Sequence, residues 1–107
     1  MSAPARLPDF AIGSDVRPGL AKLTEEAGEL AEITGKLMAF PHGPHPSGRD
    51  LTAEFIAEAG DVLGTLQYIA ATNNDIDADA LEQRAADRLR TLMTWDENDR
   101  SKHGCDR

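Results

Sequence analysis

The sequence predicts an all-α protein, a small helical bundle whose core is completed by homo-oligomerisation. Apolar residues recur at helical spacing in three separate stretches, and no stretch alternates as a strand would. A proline- and glycine-dense segment separates the first two of these stretches. A chain of 107 residues makes one domain, and three narrow apolar stripes give it a thin core. A homodimer or tetramer, in which further copies supply the missing core, is therefore expected.

The elements follow in order. Residues 1–14 carry Pro4, Pro8 and Gly13 without a steady period and read as an arm, with a short helical turn at Phe10–Ile12. Asp15 is placed to cap a first helix whose opening turn tolerates Pro18. Its stripe is Leu20, Leu23, Ala27, Leu30, Ile33 and Leu37, and it runs to about Phe40. The segment FPHGPHPSGRD holds three prolines and two glycines in eleven residues, so it is a loop. Asp50 or Thr52 caps a second helix with the stripe Phe55, Ala59, Val62, Leu66, Ile69 and Ala70, ending at Asn73-Asn74. Asp77 caps a third, carrying Leu81, Ala85, Leu89 and Leu92 to about Trp95. The helical domain thus covers residues 15–97, and 98–107 form a polar tail expected to fray.

Composition excludes several functions. Nineteen acidic against eleven basic residues give a net charge of −8, which disfavours grip on a phosphate backbone, so nucleic acid is not the expected partner. No run approaches the ~20 apolar residues of a membrane span, and the N-terminus lacks an apolar signal core, so no membrane is expected either. A single cysteine, Cys105, precludes an intrachain disulfide. These features together suit a soluble, cytoplasmic protein.

The acids are unevenly placed. Between Asp50 and Glu82 lie eight acidic residues and no Lys or Arg. In TEEAGEL, Glu26 projects between Leu30 and Ile33, inside the apolar stripe, with Glu29 at its edge. In AEAGDVL, Glu58 projects beside Val62 and Ile69 and Asp61 lies further out. Each helix offers a carboxylate pair at i,i+3, on one face. If the helices pack antiparallel through these stripes, four carboxylates converge, which is costly without positive charge between them. An all-oxygen set calls for a hard divalent ion, Mg²⁺ with Mn²⁺ as an alternative. A di-iron carboxylate site would need Glu-x-x-His on two helices, whereas His42, His45 and His103 fall outside the expected ones. The metal-free alternative is ordinary ion pairing of these acids with Lys22, Lys36, Arg84 and Arg88.

The residues KLTEEAGELAE, then EFIAEAGDVLGTLQYI after a loop, resemble the MazG-like branch of the all-α nucleotide pyrophosphohydrolase superfamily. The family pattern is EE-x-x-E, a variable loop, then E-x-x-D. This chain has Glu25-Glu26-x-x-Glu29, 28 intervening residues, then Glu58-x-x-Asp61, and the likeness spans about Leu20 to Ala71. The resemblance implies Mg²⁺-dependent hydrolysis of a nucleoside triphosphate to monophosphate and pyrophosphate, in a homo-oligomer. It implies Glu26, Glu29, Glu58 and Asp61 as metal ligands, Glu25 as general base or water-positioning group, and Lys22 as the basic residue one turn earlier. Two features depart from the pattern: the loop with His42, His45 and Arg49 is long and proline-rich, and Thr91-Leu92 stands where relatives tend to carry Lys-Asn.

Other substrate contacts are candidates by type and position. Arg84 and Arg88, at i,i+4 on the third helix, are able to meet phosphates, as is Arg49 from the loop; pairing with neighbouring acids is the simpler role. Tyr68, seven residues after Asp61 on the same helical side, is placed to stack on a base or to pack. Two other functions stay open: a non-catalytic helical oligomerisation module, and phosphoribosyl-ATP pyrophosphatase.

Overall fold

A left-handed glycine sets where the first helix begins. The computed structural model describes residues 17–42 and 45–103, and among them finds α1 (Leu20–Ala39), α2 (Leu51–Thr72) and α3 (Ala78–His103), with no strand. The arm over residues 1–14, the Asp15 cap and Cys105 lie outside the described residues. Gly19 precedes α1 with φ 94°. A Cβ at this position would stand 2.6 Å from Ile69 Cγ1 and 3.1 Å from Tyr68 Cδ2. Glycine therefore meets two demands at once, the positive φ and the close approach of α2. The helix starts at Leu20 rather than near Asp15, and Pro18 sits in the preceding turn rather than inside the helix.

The entry to α1 is tied to the exit from α2. The Asn73 side-chain amide donates to the Pro18 carbonyl at 3.0 Å and to the Ile69 carbonyl at 2.8 Å. Its Oδ1 accepts from Arg17 Nε at 3.4 Å. Asn73 is buried, and these bonds satisfy it there. At the other end of α2, Asp50 is the cap: its Oδ1 accepts from the Ala53 N–H at 3.0 Å, while Thr52 lies within the helix. The Arg49 guanidinium pairs with Glu54, and the Phe40 and His45 rings meet edge-on at 4.7 Å.

α1 and α2 form an antiparallel hairpin, since Gly19 faces Ile69 and Glu26 faces Glu58 and Asp61. The buried apolar residues described are Ile33, Leu51 and Ile69, with Glu26 and Asn73 beside them as buried polar ones. Ala27, expected within the stripe of α1, is exposed.

The chain divides into two compact units, Met1–Asn74 and Asp75–Arg107. In the second, Asp77 caps α3 as expected, its Oδ1 accepting from Asp79 N at 2.8 Å and Ala80 N at 3.4 Å. The helix continues to His103, about two turns beyond Trp95. That extension carries an i,i+4 ion pair, Arg100–Asp96 at 3.1 Å, a support that apolar periodicity does not register. No described α3 residue is buried, and Leu89, Leu92, Met93 and Trp95 are exposed. No helix is long and apolar enough to cross a membrane.

Candidate metal centre

The acids project where helical geometry puts them. Glu26, one turn before Leu30 and between the residues that face α2, is only 9% exposed. Glu58 is half-buried and Asp61, three residues on, is exposed. One carboxylate oxygen from each of Glu26, Glu58 and Asp61 lies within 4.8 Å of the other two, close enough to hold one metal ion. Glu29 is exposed beside this trio, near enough to act on both Glu26 and Glu58.

Hydrogen bonding, burial and like charge together shift these groups. A hydrogen bond with Glu29 that favours the protonated form raises the Glu26 carboxyl; burial and the charge of Asp61 add to this, and Lys22 opposes it. Burial, then the charges of Glu29 and Asp61, raise Glu58. Glu54, one turn earlier on α2, shifts the other way because it accepts from Arg49. Glu58 Oε1 is buried with no hydrogen-bond partner. A buried, unpaired carboxylate oxygen facing two further acids fits a divalent cation, and an all-oxygen donor set suits a hard one.

Of the other sequence candidates, Lys22 is the cation beside the trio. Its Nζ donates to Glu25 Oε1 at 2.6 Å and stands 4.0 Å from Glu26 Oε2. Glu25 thus faces Lys22 rather than joining the three oxygens. Lys22, Glu26, Asp61 and Tyr68 line one cavity of about 320 Å³, together with Gly60, Gly64 and Thr65. The two glycines and Thr65 escaped the sequence reading, although the Gly60-x-x-x-Gly64 spacing signals two missing side chains on one helical face. Arg49 is engaged by Glu54 at the loop. Arg84 and Arg88 are exposed on α3, in the second unit.

Compared with protein-family models, with curated proteins and with solved structures, the chain has no match.

Proposed function

We propose that this chain is a Mg²⁺-dependent nucleotide pyrophosphohydrolase of the MazG-like kind, converting a nucleoside triphosphate to monophosphate and pyrophosphate. The observation that carries the reading is the buried, unpartnered Glu58 Oε1 converging with Glu26 and Asp61 from the facing and the same helix. Glu29 completes the set as a fourth ligand. An ion held by these carboxylates would supply positive charge to phosphate oxygens and make an attacking water more acidic. Lys22 moves from Glu25 to the phosphates, and Glu25, so released, takes the proton of the water attacking the α-phosphorus. An acidic chain binds an anionic triphosphate on these terms because the bound cation reverses the local sign.

The active form in this proposal is a homo-oligomer. The exposed Ile56, Leu63, Leu89, Leu92, Met93 and Trp95 support it, being apolar surface that a second copy would cover. The same residues favour the second reading, a helical oligomerisation module without catalysis. Incubating the protein with Mg²⁺ and a panel of ribo- and deoxyribonucleoside triphosphates and phosphoribosyl-ATP, then assaying pyrophosphate and monophosphate, separates the readings. Pyrophosphate release that stops with chelator is expected. A metal-replete protein that hydrolyses nothing in the panel leaves the module.

A further inference from the structure

The cavity beside the acids is a groove along α2. Gly60, Asp61, Gly64, Thr65 and Tyr68 line it from α2, and Lys22 and Glu26 from α1. Seven residues of helix separate Asp61 from Tyr68, about 10 Å of rise. A Cβ built on Gly60 or Gly64 meets nothing within 4 Å, so the absent side chains are not demanded by packing inside the chain. Glycine there is also unfavourable for the helix, at about 0.5–1 kcal/mol against alanine. Gly28 and Gly35 of α1 are equally open, but Gly60 and Gly64 are the helical glycines that line this cavity beside the candidate cation site, and there they leave room for a ligand against the α2 backbone.

The far wall of the groove is held firmly. Tyr68 packs on Gly19, whose missing Cβ makes room for the ring, and the Asn73 bonds hold that end of the hairpin together. The groove therefore offers carboxylates for metal and phosphate, a cation, and an aromatic face. Its volume, about 320 Å³, sits at the lower bound for small-ligand sites.

Resting on the hydrolase reading above, we infer that this groove seats the nucleoside half of the substrate, with sugar over Gly60 and Gly64 and a planar base against Tyr68. Gly64 is then a specificity-determining position, because any side chain there fills the space that sugar and base need.

The test uses the full chain, Gly64→Leu and Gly64→Ala, with α,β-methylene analogues of the nucleoside triphosphates as probes. Calorimetry gives analogue affinity, thermal melting with Mg²⁺ alone gives metal binding, and light scattering gives mass. The expected result is that Gly64→Leu keeps the parent's mass and its Mg²⁺-induced rise in melting temperature but binds the analogues at least about tenfold more weakly. Gly64→Ala, which is bound to fold because alanine favours helix, melts higher than the parent and falls between the two in affinity. Parent-like analogue binding by Gly64→Leu overturns the inference and leaves the hydrolase reading standing. A changed mass overturns it too, making the groove a contact between copies. A parent that responds to Mg²⁺ yet binds no analogue brings down the hydrolase reading itself.

Discussion

Asn73 and Glu58 each withdraw polar atoms from water where α1 meets α2, and they fare oppositely. Asn73 donates to Pro18 and Ile69 and accepts from Arg17, so its burial strengthens the fold. Glu58 Oε1 finds no partner, and its neighbours Glu29 and Asp61 carry the same charge. One stretch of the hairpin is built to hold its shape, and the other carries unfavourable energy that protonation or a bound cation would relieve. Sites shaped for ligands commonly weaken the fold in this way.

The sharpest test of that contrast is Glu58→Gln. It keeps the shape and removes one of the converging charges, so the metal-free protein is expected to melt at or above the parent's temperature. Hydrolysis is expected to fall by more than about 100-fold, the upper cost of losing a residue that merely supports a metal ligand. Pyrophosphate assays beside melts with and without Mg²⁺ check both halves. A lower metal-free melting temperature with hydrolysis retained would break the comparison.

Gly19→Ala probes the opposite stretch. The positive φ and the clash with Ile69 and Tyr68 act together, for a loss of about 2–4 kcal/mol. Denaturant unfolding should record that loss equally with and without Mg²⁺, because the strain is remote from the ion.

The pH dependence of the metal-free protein comes next in size. Glu26 and Glu58 have raised values in the fold, so over the window above the unfolded carboxyl value of about 4.3 the folded state binds more protons than the unfolded one. Stability therefore falls as pH climbs from there through the raised values, then levels. Saturating Mg²⁺ is expected to reverse the slope, since it would bind the ionised carboxylates; melts with and without Mg²⁺ at stepped pH from about 4 upward test this. Glu54 acts the other way: its lowered value gives stability that is present above the unfolded value and lost as pH drops through the lowered one. The smallest effect is Arg49→Gln, which breaks that solvent-facing pair and should leave Mg²⁺ response and hydrolysis at parental levels, with a barely shifted melt.

Much of this was legible in the sequence. The stripe Leu30–Ile33 placed Glu26 inward, and Glu26 is buried; Asp77 read as a cap and Asp50 as one of two candidates beside Thr52, and both aspartates accept backbone N–H groups. What escaped depends on contacts distant in sequence. Gly19 looked like one more residue of a helix begun at Asp15, because only the approach of Ile69 and Tyr68 makes a left-handed glycine necessary. Asn73 looked like a helix end, whereas its amide reaches back to Pro18. Leu89 and Leu92 looked like core by their spacing, yet both are exposed, since periodicity shows which residues share a face and not what covers it. The Lys22–Glu25 pair, by contrast, is local and its i,i+3 spacing is plain in the sequence.

The thinness of the hairpin's core has a calorimetric consequence. Ile33, Leu51 and Ile69 are the buried apolar residues among those described, so unfolding exposes less new apolar surface than a thick core would. The heat-capacity increment is then small and the stability curve broad and shallow, changing little with cooling or moderate warming. A small unfolding entropy also means that each kcal/mol of ligand binding moves the melt a long way. At a hundred times its Kd, an ion that binds only the folded chain would raise the transition by roughly 10–20 °C. Variation in free divalent cation would thus set how much of this chain is folded more strongly than variation in temperature does.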